Sequence, residues 1–316
     1  MNKTLTYFTK LRFLFLLLLL SIWGAGCSQN IPLSEINFIV ASDMGRSGVS
    51  EQRNVAAQMA YFAEQKQIDF MAIAGDPIHD DGVKSVDDPL WNERIEDVYT
   101  YPSLHAFPWY VVSGNHEYNG SVQAILDYST VSERWNAPAR YYSFTKKPNG
   151  SNVNCLFVFI DTTPFIERYQ NRTDAGEQDV AAQIAWIENT LSTSDAKWKF
   201  VVGHHPAYAK TNKSQSERIN IQDRVAWLFE KYEIDFFISG HIHNFQHINR
   251  EGSSVHYVVN SSASQSRPIH EPDKVEGTLF TNPDPGFSMF TVSEDNVRFL
   301  FVNHTGKIVY DQTIMK

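Results

Sequence analysis

Five short apolar runs recur along the chain, at residues 36–40, 68–74, 109–112, 200–202 and 234–238, and each stops abruptly at polar residues. Their length and near-continuous Val, Ile, Phe and Ala content predict strands buried on both faces. The stops are Asp43, Asp76 with His79 three residues on, Asn115-His116-Glu117, His204-His205, and His241 with His243. Between the first two runs, Val55, Met59, Phe62 and Ala63 keep helical spacing in a segment that Ser50 is placed to cap, which predicts a helix through residue 67 and a βαβ unit. Further helices are expected at residues 89–99, 121–130 and 176–191, and at 216–232 with Ile219, Val225, Leu228 and Phe229 on one face. Residues 140–145 read as a short strand and 153–160 as a central one. Past residue 243 the helical pattern stops: strands are expected at 256–260, 286–292, 297–302 and 308–311, with a long Pro-, Ser- and charge-rich loop at 261–285. A loop of that length inside a compact domain is functional or mobile.

Strand and helix alternate as in an α/β protein whose parallel strands present chemistry at their C-terminal edge. The chain has 316 residues, 42% of them hydrophobic, enough for a large core without disulfides, and no linker divides residues 36–316. A formal net charge of −9 excludes a general nucleic-acid binder, which needs a basic face. Cys155 lies in an apolar run and reads as a small buried hydrophobe. Trp91, Trp109, Trp135, Trp186, Trp198 and Trp227 read as packing residues, and His247, His256 and His270 as histidines satisfied by their surroundings.

The first 26 residues have another logic. Lys3, Lys10 and Arg12 accompany a short hydrophobic stretch at residues 11–23, followed by Gly24-Ala25-Gly26, which is the form of a secretory signal rather than a membrane span. Small residues directly before Cys27 resemble the bacterial lipobox. That resemblance implies cleavage before Cys27, acylation of its thiol and a lipidated tether over residues 27–35, although Gly24 stands where the motif has an aliphatic residue. A plain signal peptide with an incidental Cys is the other reading. Either way the chain is expected to cross the inner membrane, and the lipid anchor would be its one membrane contact, in the periplasm or at the cell surface.

Taken together, Asp43, Asp76-x-x-His79, Gly114-Asn115-His116-Glu117, Gly203-His204 and Gly240-His241-x-His243 resemble the binuclear, calcineurin-like metallophosphoesterases. More narrowly, Asp43-Met44-Gly45 is similar to the D-x-G of the small purple, tartrate-resistant acid phosphatases, and the likeness runs from about residue 36 to the C-terminus. The resemblance implies a four-layer α/β/β/α sandwich of two mixed β-sheets flanked by helices. It implies two metal ions, bridged by Asp76, with Asp43, His79 and His243 completing one site and Asn115, His204 and His241 the other. Imidazole, carboxylate and amide oxygen together suit zinc, iron or manganese better than calcium or magnesium. The implied reaction is hydrolysis of a phosphorylated small molecule by in-line attack of a metal-bound hydroxide, without a phosphoenzyme.

His116 is the candidate for binding the phosphoryl oxygens or protonating the leaving alkoxide, with Glu117 holding its ring. His205, next to a ligand, is expected to line the pocket. Lys213 stands where the resembled family has a further His, and either neutralises phosphate as a point charge or is simply solvated. Asp80 and Asp81 adjoin His79 and are within reach of a metal on sequence grounds. His79 also replaces the Tyr whose phenolate binds ferric iron and gives the family its colour, so a colourless enzyme with two divalent ions is expected. A phosphodiesterase, or a selective phospholipid, nucleotide or sugar-phosphate hydrolase, is the first competing reading, decided by loops at 77–101, 208–216 and 261–285. A surface lipoprotein that keeps metals for structure alone is the second.

Overall fold

A computed structural model describes residues 35–148, 151, 153–172, 174–213, 215–269 and 275–316. The expected signal segment, Cys27 and nearly all of the tether lie outside the described residues, as does His270. Among the described residues no helix is long and apolar enough to cross a membrane.

Strand β1 (Ile36–Ala41) sets the frame. Its period of two sends Ile36, Phe38 and Val40 into one apolar cluster and Ile39 and Ala41 into another, so both faces are buried. β2 (Phe70–Ala74) divides likewise, with Phe70, Ala72 and Ala74 facing the first cluster and Met71 and Ile73 the second. The remaining strands are β3 (Trp109–Val112), β4 (Trp135–Asn136), β5 (Tyr142–Lys146), β6 (Cys155–Phe159), β7 (Trp198–Val202), β8 (Phe236–Ser239), β9 (Phe245–Asn249), β10 (His256–Val259), β11 (Thr278–Asn282), β12 (Gly286–Val292), β13 (Asn296–Asn303) and β14 (Ile308–Met315). They form two seven-stranded mixed sheets, in the orders β14-β13-β12-β1-β2-β3-β4 and β11-β9-β10-β8-β7-β6-β5.

Register places a row of Phe across each sheet. Phe290, Phe38 and Phe70 are neighbours in the first, and Phe157, Phe200 and Phe236 in the second. Within rows the rings stack, Phe38 lying 4.9 Å from Phe70 and 4.8 Å from Phe290. Between rows they meet edge to face, Phe38 being 5.5 Å from both Phe157 and Phe200. Both are favoured aromatic geometries, and they fix how the sheets stack. Outside the first sheet lie α1 (Gln52–Gln65) and α2 (Val122–Asp127), which bury Val55, Met59, Ala124 and Ile125. Outside the second lie α3 (Val180–Ser192), α4 (Gln215–Ile221) and α5 (Trp227–Lys231). The expected four layers are therefore present.

Several elements differ from their sequence reading. Ser50 does not cap α1; it has a φ of 55°, and Glu51 precedes the helix without a side-chain cap. The helix expected at 89–99 is a short wide-turned segment, Asn92–Glu96. A similar wide turn, Gln222–Ala226, joins α4 to α5. Ile219 faces solvent while Ile221, four residues before Val225, takes its place in the core, and Trp227 is 45% exposed. β6 is an interior strand but lies next to the edge strand β5. Strands β9 and β11 had no sequence signal, and β11 falls inside the expected loop, paired antiparallel with β9. For β9 the cause is polar burial, and β11 is a half-exposed edge strand. Gln246 of β9 bonds the backbone of Lys210 in both directions, and His247 lies between Tyr310 and His256, so this strand is buried without being apolar.

Candidate metal centre

β1, β2 and β3 run parallel, as do β6, β7 and β8, so their C-terminal ends gather at one edge of the sandwich. Asp43, Asp76 and Asn115 follow the first three; His204, His241 and His243 follow β7 and β8. The two rims touch: His204 Nδ1–H donates to the Ala74 carbonyl at 2.9 Å, and the His241 amide donates to Asp43 Oδ2 at 2.9 Å. Asp43, Asp76, His241 and His243 all have left-handed backbone, with φ of 53°, 48°, 69° and 63°. Each such residue costs free energy that the surrounding fold must outweigh, and such residues cluster where geometry serves chemistry. Gly75 shows how tight the edge is. It has a φ of +82°, and a Cβ there would lie 2.4 Å from His204 Nδ1.

Ligand-type atoms converge on one small region. Asp76 Oδ2 lies 3.0 Å from His204 Nε2, 3.7 Å from His116 Nε2 and 3.8 Å from His79 Nε2. Asp43 Oδ1 lies 2.9 Å from His243 Nε2 and 3.9 Å from His79 Nε2. His241 Nδ1 lies 3.2 Å from His204 Nε2. Asp43, His79 and His243 form one group able to hold a cation, Asp43, Asp76 and His204 another, and Asp76, His79 and His116 a third. Asp43, Asp76 and His79 each belong to two of these groups, so the groups overlap.

Hydrogen bonds on the outer side of the rings aim the inner nitrogens. The outer nitrogen of His204 is held by Ala74, His243 Nδ1–H donates to the Gln265 carbonyl at 2.7 Å, and His241 Nε2 lies 2.9 Å from Glu217 Oε2. Glu217 is itself held by Tyr169 and Arg168. Such outer partners fix the tautomer and orientation of metal-binding imidazoles. Around the cluster, Asp43 Oδ1, both nitrogens of His79 and Asn115 Oδ1 are buried without a hydrogen-bond partner. Buried polar atoms are rarely left so. A lone-pair-rich, orphaned set of carboxylate, imidazole and amide oxygen fits cations.

Charge states agree. Burial would raise the carboxyl pKa of Asp43 and Asp76, but the imidazoles of His243 and His204 beside them hold both well below the usual range. Burial pushes His79 down to about 3, keeping it neutral. His204 goes the other way, to about 9, because Asp76 outweighs its burial. A proton there sits where a metal cation would meet the same carboxylate.

The Calcineurin-like phosphoesterase family model matches residues 36–245. This chain belongs to that family. It is 31% identical over 292 residues to purple acid phosphatase 7 of Arabidopsis thaliana, covering 89% of this chain and 86% of that one. Tartrate-resistant acid phosphatase type 5 of Homo sapiens is 27% identical over 255 residues, covering 77% and 78%. Among solved structures, GAP50, the anchor in the inner membrane complex of Plasmodium, superposes with a TM-score of 0.77 at 22% identity over 89% of both chains, a likeness of fold.

In this metallophosphoesterase the other predicted site residues have distinct settings. His116 is partly exposed at the rim; its Nδ1–H donates to the Asp80 carbonyl and its amide donates to Asp76 Oδ1 at 3.0 Å. Glu117 does not hold the His116 ring. Its buried carboxylate accepts from the Gly114 and Ile78 amides at 2.7 and 3.3 Å, bracing the loops of Asp76 and Asn115. Burial, with Asp76 nearby, shifts its pKa upward. His205 lines no open pocket: it is fully buried, with Nδ1 2.9 Å from Thr162 Oγ1 and Nε2 without a hydrogen-bond partner, and with His204 and His241 it forms a fourth group able to hold a cation. Lys213 reaches the centre, donating to the His241 carbonyl, and burial lowers its pKa to about 8. Asp80 has a 73% exposed side chain paired with Arg46, and Asp81 pairs with Asn119, so neither carboxylate enters the cluster. Glu217 and Arg172, which donates to the Asn115 carbonyl, come from segments with no apolar-run-then-ligand pattern to mark them.

Proposed function

We propose that this phosphoesterase hydrolyses phosphomonoesters at a pair of divalent ions, with Asp76 bridging, Asp43, His79 and His243 on one side and Asn115, His204 and His241 on the other. The observation that carries the reading is the convergence of buried Asp43, Asp76, His79, His204 and His243 ligand atoms, several of them without a hydrogen-bond partner, beside the partly exposed His116. Two cations bound there would polarise the ester and lower the pKa of bound water to roughly 7. The chain's own contribution is orientation and proton transfer. With Nδ1–H committed to Asp80, His116 presents Nε2 toward the phosphoryl position, where it binds an oxygen or, protonated, donates to the leaving alkoxide. Lys213 adds positive charge close by.

On this reading, full-length protein in detergent turns over phenyl phosphate faster than diphenyl phosphate, loses the rate on chelation and regains it with zinc, manganese or iron. Diester preference would place it among phosphodiesterases, and metal binding without turnover of either ester would favour the binding-protein alternative. His79 leads to a spectroscopic expectation. Iron-loaded protein has no intense visible band, because a neutral imidazole replaces the phenolate; a purple product would overturn the assignment of His79. Mass spectrometry of the mature chain tests the proposed start at an acylated Cys27 and, with it, the placement outside the inner membrane.

A further inference from the structure

Beside the metal centre lies a cavity of about 270 Å³ lined by Arg46, Ser47, Ser50, Asp80, Arg94 and Gln265, together with Val49. Two of its walls are also supports of the centre: the Asp80 carbonyl holds the His116 ring and the Gln265 carbonyl holds the His243 ring. Gly45 lets Arg94 close on this region. A Cβ on Gly45 would stand 3.2 Å from Arg94 Cβ and 2.5 Å from the Pro77 carbonyl oxygen.

The two arginines are incompletely used by the fold. Arg94 Nη1 makes a long contact, 3.4 Å, with the Gly45 carbonyl, and Arg46 Nη1 lies 3.5 Å from the exposed Asp80 carboxylate. The Nε of each is buried with no hydrogen-bond partner. Two guanidinium groups against one well-solvated carboxylate leave positive charge in a chain whose formal net charge is −9. Unsatisfied buried donors are costly, and a guanidinium fork matches carboxylate or phosphate oxygens in pairs. The cavity holds far more than one water, which takes about 30 Å³ in the liquid.

We infer that this cavity is a specificity subsite for a second anionic group, phosphate or carboxylate, on a phosphomonoester whose scissile phosphoryl group lies at the metal centre. The inference rests on the phosphomonoesterase reading and adds a substrate class to it: esters with two anionic ends.

The test compares kcat/KM of the full-length, zinc-loaded protein for phenyl phosphate, the three carboxyphenyl phosphates and propane-1,3-diol bisphosphate. At least one two-headed ester is expected to exceed phenyl phosphate by about tenfold, mainly through KM, as paired hydrogen bonds to a charged group allow. Whether a carboxylate or the bisphosphate gains tells the two anions apart. Arg94→Gln and Arg46→Gln should each reduce that advantage about tenfold beyond any effect on phenyl phosphate. Should Arg94→Gln fail to fold, Arg46→Gln and the parent's preference decide. Equal rates across the panel, or equal losses on every ester, would overturn the subsite. Calorimetric binding of phenylphosphonate and carboxyphenylphosphonates separates this from the reading beneath it. Turnover of phenyl phosphate with no two-headed preference in rate or binding removes the subsite alone. Tighter, Arg94-dependent binding of a carboxyphenylphosphonate with no ester turned over keeps the anion site and removes the phosphatase.

Discussion

Asp76→Asn is expected to lower kcat by about three orders of magnitude or more while the protein stays folded, since on the proposed reading it removes the charge that two cations would share. Asn keeps the shape and can still accept from the His116 amide, which Asp76 Oδ1 does at 3.0 Å. It cannot balance a proton on His204 or bridge two ions. Folding is expected to survive because His204, whose raised pKa depends on Asp76, can give up its proton and leave no unpaired buried charge. Metal analysis alongside kcat decides the matter. Fewer than two bound ions per chain, with a melting curve that matches the metal-free parent, supports the bridge, whereas two ions and full activity would remove it. Unfolding of the variant, with an inactive parent, would point to metals kept for structure.

Gly75→Ala is expected to damage both stability and activity. At φ +82° alanine meets the left-handed penalty, and its Cβ falls 2.4–2.6 Å from the His204 ring. Roughly 1–2 kcal/mol for the backbone and about 1–3 kcal/mol for overpacking sum to a loss near 2–5 kcal/mol in denaturant unfolding. A His204 ring pushed aside by about 1 Å costs about a hundredfold in kcat. Gly252→Ala is the control: its φ is 77° but nothing lies within 4 Å of the added carbon. Comparable losses in both variants would mean that backbone conformation alone, and not contact with His204, sets the cost.

Sequence pattern located these residues because a buried parallel strand has one place for a polar stop, its C-terminal end, and the run-then-ligand pattern repeats for Asp43, Asp76, Asn115, His204 and His241. The same logic was silent about supports. Glu217 projects from a helix, Gln265 and Asp80 act through carbonyls that any residue could supply, and Glu117 turned toward amides instead of the neighbouring ring. It was silent about β9 because buried Gln246 and His247 are satisfied by hydrogen bonds, and about β11 because that edge strand buries no residue fully and exposes Leu279. Ile219 was misplaced because it is six residues from Val225, off helical spacing, whereas Ile221 is on it.

The bond from His204 to the Ala74 carbonyl ties one sheet to the other at the rim, and the ligand groups repeat that division: Asp43, His79 and Asp76 follow strands of the first sheet, His204, His241 and His243 strands of the second. A cation gripped from both sides is a rivet through the sandwich. It would hold the two layers against sliding at the ligand-bearing edge, and would make the thermodynamic cohesion of the fold a function of the free metal concentration around it.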